Sequence, residues 1–478
     1  MIKMIHANIF ASLLLVGATA FLHAAPSRPN IVVILADDLG YGDPGCYNPR
    51  SRIATPHIDR LALEGMRFTD AHAPGPLCHP SRYGLLTGRH PFRTDVSKWP
   101  KQPLIEERQP TIASILKAAG YRTAMVGKWH LGFAENGYDQ PLPGGPVHRG
   151  FDTFFGFRAS TDIPPYFYLR GDRAVAAPTA TIAEHHTEGL ADIQGQFWRG
   201  GGIAPGLELK DVLPRFTDEA VAVIRDHAKS SADKPLLLYF APTAPHTPWL
   251  PSPEFKGRSP AGIYGDFTIM LDAMIGRVLQ ALDDTKLAGN TLLIFTSDNG
   301  PVWYPEDVVR TSHDAAGGLR GMKGSHWEGG HRMPFIVRWP GRIQPGSTNA
   351  QLICFTDILA TLAEAAGATI PADAGPDSYS FLPVLLGAQP KRGPLRESLV
   401  IGRSIRRGPW KYIEGRETAF FSRPGSPTIL ASGEPPGLLY NLADDPRETR
   451  NLAAGNSALV AELQAEMKRI RSGSRSRP

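Results

Sequence analysis

Runs of apolar residues alternate with helix-like patterns along most of this chain. Residues 30–36, 235–240 and 291–295 are almost wholly apolar and show no alternation of polar side chains. Such runs are typical of strands that are buried on both faces of a parallel sheet. Further strands are predicted at residues 66–69, 121–126 and 333–339, and helices at residues 55–65, 111–119, 216–228, 267–282 and 355–366. The alternation predicts a large α/β domain in which helices sandwich a mainly parallel sheet.

The pattern changes in two other parts of the chain. Residues 133–210 are rich in glycine, proline and aromatic residues and predict long loops over the sheet edge, where substrate recognition commonly lies. Short strand-like runs at 398–404, 409–413 and 438–441, followed by a helix at 458–470, predict a small α+β domain with an antiparallel sheet. We therefore expect a catalytic domain over residues 26–391 and a C-terminal domain over residues 392–478.

The first 25 residues contain Lys3, an apolar run over residues 9–21 and small residues before position 26. This pattern is typical of a cleavable secretory signal peptide. An uncleaved membrane anchor is the alternative, but the run is short for a membrane span. We expect an exported protein, periplasmic or secreted, without stable insertion in a membrane.

The amino-acid composition narrows the class of protein further. The chain has 478 residues, of which 42% are hydrophobic and 20% charged, as in ordinary globular proteins. The formal net charge of +5 comes from scattered lysines and arginines, which does not suggest a nucleic-acid partner. Three cysteines are too few for a disulfide scaffold in an exported protein. Cys46 and Cys354 could pair, although two free thiols are the favoured interpretation.

Five loops at predicted strand ends carry polar side chains. They hold, in chain order, Asp37 with Asp38, Cys78 with Arg82, Lys128 with His130, His246 alone, and Asp298 with Asn299. Because ligands of open α/β sheets bind at the carboxyl ends of the strands, we expect these loops to converge. Taken alone, Asp37 with Asp38 and Asp298 with Asn299 also fit ordinary turns, and a single lysine or histidine usually has no function.

Cys78 stands at the predicted start of a helix, since Pro80 suits the first helical turn. A helix N-terminus favours an anion or an activated nucleophile. Arg82, one turn further on, adds a cation whose geometry suits an oxyanion. The alternative is a buried structural cysteine.

The other polar side chains fall into two chemical groups. Asp37, Asp38, Asp298 and Asn299 offer only oxygen ligands, which suit Ca²⁺ or Mg²⁺ better than zinc. The second group would supply cations and proton-transfer groups around a bound oxyanion. Its members are Lys128, His130, His246 and Lys323.

The stretch Cys78-His79-Pro80-Ser81-Arg82, followed by two aliphatic residues and Thr87-Gly88, resembles the sulfatase signature. Gly-Lys-Trp-His at 127–130 is similar to the second signature of that family, and the words around Asp37 and Asp298 match it closely. The resemblance extends from residue 30 to residue 448. His79 departs from the pattern, because the family usually has a small residue there.

The resemblance implies an alkaline phosphatase-like fold and a nucleophile made by a maturation enzyme, which oxidises Cys78 to formylglycine. It also implies that Ca²⁺, rather than Mg²⁺, binds the four oxygen-bearing side chains. One hydroxyl of the hydrated aldehyde would attack sulfur, and the second would expel sulfate. His246, with Lys323, would protonate the leaving oxygen, His130 would act as the base, and Lys128 and Arg82 would hold charge.

The favoured function is therefore hydrolysis of sulfate esters, with a sulfated carbohydrate as the expected natural substrate. The alternative is a hydrolase of phosphonate monoesters or phosphodiesters with the same fold and nucleophile. Two further hypotheses are a zinc phosphomonoesterase, whose ligands are not matched here, and a non-catalytic glycan-binding protein. Several aromatic and histidine side chains could line a sugar pocket or pack loops, namely Trp99, Tyr166, His185, His186, Trp198, Trp303 and His313.

Overall fold

The computed structural model describes residues 28–100, 102–230, 233–388, 393–415, 417 and 437–477. The expected signal peptide and the expected boundary at residues 391 and 392 lie outside the described residues. The strands are β1 Asn30–Ala36, β2 Met66–Phe68, β3 Ala71–His72, β4 Arg122–Lys128, β5 Thr153–Phe157, β6 Leu169–Arg170, β7 Arg173–Ala174, β8 Ala180–Ile182, β9 Gly201–Ile203, β10 Leu236–Ala241, β11 Thr291–Ser297, β12 Phe335–Arg338, β13 Ser347–Asn349, β14 Ile353–Cys354, β15 Ser398–Ile401, β16 Ser404–Arg407, β17 Trp410–Ile413 and β18 Leu438–Asn441. The helices are α1 Pro56–Glu64, α2 Cys78–Thr87, α3 Ile112–Ala118, α4 Val212–Ser230, α5 Gly262–Asp284, α6 Pro305–Thr311, α7 Glu328–His331, α8 Asp357–Ala365, α9 Leu382–Leu385 and α10 Ser457–Ser472.

A ten-stranded mixed sheet forms the centre of the molecule, in the order β13-β2-β12-β11-β1-β10-β4-β5-β6-β7. The five strands from β11 to β5 are parallel, whereas β12 runs antiparallel to β11 and β6 antiparallel to β5. This arrangement confirms the predicted mainly parallel sheet.

Helices cover both faces of this sheet and account for the unbroken apolar runs. Alternate residues of β1 enter different cores: Ile31 packs with residues of α2, α3 and α8, and Val32 packs with residues of α1, α4 and α5. All seven residues of β1 are buried, because each face has its own layer of helices.

Residues 133–210 contain more regular structure than the loops we expected. Strand β5 belongs to the central sheet and pairs in parallel with β4, and four more short strands, β6 to β9, follow it. Its sequence, Thr-Phe-Phe-Gly-Phe, is a short apolar and aromatic run of the kind that favours strands. The expectation of loops throughout was therefore wrong at β5, and the loop after β5 joins the candidate site.

The C-terminal residues form a separate antiparallel sheet, β15-β16-β17-β18, against which α10 packs. The single strand predicted at residues 398–404 is in fact two strands that pair as a hairpin. Gly402 makes the turn with a φ of 52°, a left-handed conformation that favours glycine. A turn this short hardly interrupts the apolar pattern, which is why the two strands resembled one.

A group of polar and charged residues joins this sheet to the central domain. All of them are buried except Asp70, which is partly buried, and we call the group the Lys411 cluster: Asp70, His72, Glu328, His331, Arg406, Lys411 and Glu448. The Lys411 ammonium, on β17, lies 2.9 Å from a carboxylate oxygen of Glu328 and 2.9 Å from one of Glu448. The Nδ1 atoms of His72 and His331 are 3.0 Å apart. The cluster fixes the start of α7 and the end of β3 to the C-terminal sheet.

Two expectations about the whole chain can be compared with this structure. All three cysteines lie among the described residues and are free; Cys354 is buried and Cys46 is partly buried. Within the described ranges, no helix combines the length and apolar character needed to cross a bilayer.

Candidate active site

Cys78 is the first residue of α2, as its sequence context predicts. Its Sγ lies 3.7 Å from Asp37 Oδ1 and 4.0 Å from Asp38 Oδ1, at the carboxyl end of β1. Burial, followed by the charge of Asp298, raises the pKa of the Cys78 thiol above its ordinary value. The expected activation by the helix N-terminus was therefore wrong for the unmodified thiol, because burial and carboxylates outweigh it.

Three buried carboxylates around Cys78 are each paired with a cation from a different part of the chain. The pairs are Lys128 with Asp37 (2.7 and 2.9 Å), Lys323 with Asp38 (2.7 and 2.8 Å), and Arg82 with Asp298 (2.8 and 2.9 Å). Burial alone would raise the pKa of Asp37, but the charges of Lys128, His246 and Arg82 together hold it below its ordinary value. The Asp37 carboxylate is therefore ionised and available as a ligand.

Asn299 completes an oxygen-rich site beside these pairs. Its Nδ2 donates to Asp38 Oδ1 at 2.7 Å and to the Gly300 carbonyl at 2.9 Å. Its Oδ1 is buried and accepts no hydrogen bond from any described residue. A buried carbonyl oxygen without a partner is costly, so it fits a position that a cation would occupy. With Asp37, Asp38 and Asp298 it forms an oxygen-only set, which suits a hard divalent cation.

His130 follows β4 and is the first of two buried histidines in the site. Burial, and then the charge of Lys128, lowers the pKa of His130 well below its ordinary value. The ring is therefore neutral at physiological pH and can accept a proton. Its Nδ1 lies 3.4 Å from Ser160 Oγ.

His246 follows β10 and lies beside the carboxylate of Asp38. Its Nδ1 donates to the Thr247 carbonyl at 2.6 Å, so Nδ1 carries a proton. Its Nε2 lies 3.7 Å from Asp38 Oδ2 and therefore faces the cluster. Fixing the proton on Nδ1 leaves Nε2 as the nitrogen that can exchange a proton with a bound substrate.

Backbone conformation also marks the site. Asp38 and His130 have φ values of 62° and 60°, in the left-handed region that residues other than glycine rarely adopt. Such conformations tend to cluster at active sites.

An aromatic wall borders the site next to Cys78, formed by His79, Trp99 and His130. The His79 ring stacks on the Trp99 ring with centroids 5.0 Å apart, and Trp99 lies 4.5 Å from His130. Burial, and then Lys128, lowers the pKa of His79 to about 4, so the ring is neutral. The residue that departs from the sulfatase pattern therefore lies beside the site.

The other aromatic candidates play different parts. Tyr166, Trp303 and His313 are buried, and His313 Nε2 lies 2.8 Å from Asp43 Oδ1, which identifies them as packing residues. His185 stacks on Trp198 at 4.5 Å in a loop.

The structure brings all ten predicted site residues to one edge of the central sheet, as expected from the strand ends. Sequence reasoning missed Ser160 and Asp162, which follow β5 and contact the two histidines. The short apolar and aromatic run at residues 153–157 predicts a strand, and the polar residues just after it could have been recognised as candidates from that pattern.

Comparison with known proteins agrees with this arrangement. The family model described as Sulfatase matches residues 29–368. An N-acetylgalactosamine-6-O-sulfatase of Bacteroides thetaiotaomicron is 34% identical over 484 residues, covering 93% of each chain. Human arylsulfatase A is 36% identical over 490 residues, covering 96% of this chain and 90% of its own.

Solved structures give the same result. One from work on glycosaminoglycan metabolism by Bacteroides thetaiotaomicron superposes with a TM-score of 0.80 at 32% identity, covering 93% of this chain and all of its own. A sulfatase from Pseudoalteromonas gives a TM-score of 0.71 at 25% identity, covering 92% and 89%. The fold is that of the sulfuric ester hydrolases, an alkaline phosphatase-like fold. The chain belongs to the sulfatase family, and it is an enzyme that hydrolyses sulfate esters.

Proposed function

We propose that this sulfatase removes sulfate from a carbohydrate, using a formylglycine made from Cys78 and a Ca²⁺ ion held by Asp37, Asp38, Asp298 and Asn299. The unpaired Oδ1 of Asn299, buried beside three carboxyl groups that are paired with cations, is the observation that carries the proposal. The carbohydrate substrate is supported by relatives named as N-acetylgalactosamine-6-sulfatases.

Two groups supply chemistry that the twenty ordinary side chains lack. Formylglycine at position 78 would supply a hydrated aldehyde, one hydroxyl of which is the nucleophile and the other the means of releasing sulfate. Bound Ca²⁺ would supply a positive charge that polarises the sulfate oxygens. The raised pKa of the Cys78 thiol fits a residue that works only after modification.

His246 is the proton donor to the leaving oxygen in this proposal. Its Nδ1 is fixed by the Thr247 carbonyl, and its Nε2 faces the cluster. Lys323, 2.7 Å from Asp38, adds a positive charge on the same side. Together they would stabilise the alkoxide that develops as the ester bond breaks.

His130 is the base that removes a proton from the hydroxyl remaining at position 78. Its neutral ring suits this role, since only a neutral imidazole accepts a proton. Lys128 and Arg82 pair with Asp37 and Asp298 and offset the negative charge of bound sulfate.

The remaining parts of the proposal concern export, modification of Cys78 and the domain boundaries. We infer export to the periplasm or beyond after cleavage of residues 1–25, and modification of Cys78 by a formylglycine-generating enzyme. We also propose a catalytic domain over residues 26–391 and a C-terminal domain over residues 392–478.

The first test is peptide mass spectrometry across Cys78, on protein made together with the maturation enzyme. We expect formylglycine at position 78; unmodified cysteine throughout would overturn the proposed nucleophile. Rates on matched aryl sulfate and aryl phosphonate esters form the second test. A large preference for the phosphonate would favour the phosphonate hydrolase instead. The substrate class is tested with 6-sulfated N-acetylgalactosamine, and release of sulfate is the expected result.

A further inference from the structure

One turn after β5 contacts the Nδ1 side of both active-site histidines. Ser160 Oγ lies 3.4 Å from His130 Nδ1, and Asp162 Oδ1 lies 3.9 Å from His246 Nδ1. The turn is closed by a hydrogen bond from the Ile163 amide to the Ser160 carbonyl, at 3.1 Å. Both histidines are thus approached from the same segment, on the side away from the metal ligands.

Asp162 is itself held firmly in place. Its side chain is buried, and Oδ2 accepts a hydrogen bond from Arg199 Nη1 at 2.5 Å. The Arg199 amide also donates to the Asp162 carbonyl at 3.2 Å. The second carboxylate oxygen, Oδ1, is buried and has no hydrogen-bond partner among the described residues. A buried carboxylate oxygen without a partner destabilises the fold, so this atom needs an explanation in terms of function.

The ring of His246, whose Nδ1 lies 3.9 Å from that oxygen, offers the explanation. The hydrogen bond from His246 Nδ1 goes to the carbonyl of Thr247, the next residue in the same loop. That bond fixes the proton on Nδ1, but its acceptor is the residue next in sequence, so it does not tie the ring to another part of the fold. Asp162 comes from a different segment, anchored to the central sheet through β5. A second partner on the Nδ1 side, from a fixed element, therefore restricts the ring as a whole.

We propose that Asp162 is a positioning residue for His246, holding the imidazole so that Nε2 points at the leaving-group oxygen. This inference rests on the proposed role of His246 as proton donor. The separation of 3.9 Å is longer than a hydrogen bond, and catalytic contacts of this kind commonly tighten only when substrate is bound. Carboxylates that orient a catalytic histidine through Nδ1 are found in unrelated hydrolases.

The role makes a prediction that a purely structural role does not. A basic leaving group needs a proton as the ester bond breaks, whereas 4-nitrophenolate leaves readily without one. Loss of a residue that aims the proton donor should therefore harm hydrolysis of poor leaving groups much more than hydrolysis of good ones. General damage to the fold would lower both rates alike.

The experiment compares 4-nitrophenyl sulfate with 4-methoxyphenyl sulfate, using Asp162→Asn with its formylglycine content matched to the wild type. We expect kcat/KM to fall about tenfold on the methoxyphenyl ester and less than about threefold on the nitrophenyl ester. An equal loss on both esters overturns the inference. A wild-type enzyme that hydrolyses neither of these esters nor 6-sulfated N-acetylgalactosamine would instead overturn the proposed function, and this inference with it.

A matched control and a double mutant complete the test. Asp307 is also a buried carboxylate paired with a half-exposed arginine, Arg310, at 2.6 Å. We expect Asp307→Asn to leave the ratio of the two rates unchanged. In a His246→Ala background, Asp162→Asn should cause no further loss on the methoxyphenyl ester, because its effect acts through that ring. An additive loss would contradict the proposal.

Discussion

The active-site cluster and the Lys411 cluster both pair buried carboxylates with lysine or arginine, but they differ in whether a neutral acceptor remains outside those ion pairs. In each, several groups that could bind a metal lie within 4.8 Å of one another and are buried. In the Lys411 cluster, a lysine ammonium lies between Glu328 and Glu448, so the protein supplies the positive charge itself. In the active site, the Oδ1 of Asn299 has no partner among the described residues.

This difference separates a cluster that joins two parts of the fold from one that can bind a ligand. Buried charges must be paired, and removing one partner is costly. Where the carboxylate oxygen that lacks an aligned hydrogen bond, Glu448 Oε1, still lies 2.9 Å from the Lys411 ammonium, the cluster contributes to packing and orientation. Where a neutral acceptor such as Asn299 Oδ1 remains without a partner, a bound ion or ligand completes the site.

The largest expected effect comes from removing the nucleophile. Cys78→Ala should lower aryl sulfate hydrolysis by at least about a thousandfold, since the variant has no group to form the covalent intermediate. Its thermal unfolding temperature should stay close to that of the wild type. Cys354→Ala removes a buried thiol outside the site and serves as the control, with activity retained. Substantial activity in Cys78→Ala would contradict the proposed nucleophile.

The second largest effect should be a loss of stability when the Lys411 cluster is changed. Lys411→Met leaves Glu328 and Glu448 buried without their shared cation, so we expect a loss of about 3–5 kcal/mol in the free energy of unfolding. Denaturant unfolding measures this loss. The double variant Lys411→Met/Glu448→Gln should recover part of it, because Glu328 keeps Arg332 and Arg406 at 3.4 Å whereas Glu448 has no other ion-pair partner among the described residues. An unfolding curve unchanged by Lys411→Met would show that the pair contributes nothing.

Removal of Ca²⁺ should affect only the active-site cluster. We expect a chelator to abolish activity and added Ca²⁺ to restore it, with stabilisation of about 2.7 kcal/mol at a hundred times the Kd. Asn299→Leu should lose both responses, because its side chain has no carbonyl oxygen. A Lys411→Met variant should keep the Ca²⁺-dependent gain in unfolding temperature. If Ca²⁺ stabilised the Asn299→Leu variant equally, the ion would bind elsewhere.

The smallest effect concerns pH. Burial, and then the charge of Glu328, raises the pKa of Glu448 from 4.5 to about 7, although Lys411 opposes the shift. A folded-state pKa above the unfolded value gives stability that is complete below pH 4.5 and is lost as pH rises through 7. Glu448→Gln should remove this decline. Denaturant unfolding at pH 4.5 and pH 7.5 tests it, and an unaltered pH dependence would count against the shift.

Sequence reasoning succeeded where the chemistry lies in short segments at strand ends. Asp37, Cys78 and Asp298 each follow or begin a recognisable element, and parallel strands bring such positions to one edge whatever the rest of the fold does. The same logic failed at Asp162, because β5 lies in a segment whose glycines and prolines obscured a five-residue strand.

The Lys411 cluster could not be predicted for a different reason. His72, Glu328 and Lys411 are brought together only by the packing of the C-terminal sheet on the central domain. No local pattern marks a lysine or a glutamate that will be buried far from its chain neighbours, and unpaired charges in a sequence are normally read as surface residues.

Two residues of this active site have a backbone conformation that lowers the stability of the fold. Left-handed backbone costs an ordinary residue about 1 kcal/mol or more, whereas glycine adopts it freely. Asp38 and His130 both adopt it. Glycine would relieve this strain, but at residue 38 it would also leave the buried Lys323 ammonium without its carboxylate, and at residue 130 it would remove the proposed base. The strained backbone at both residues is therefore retained for the side chains it presents, as selection for turnover rather than stability requires.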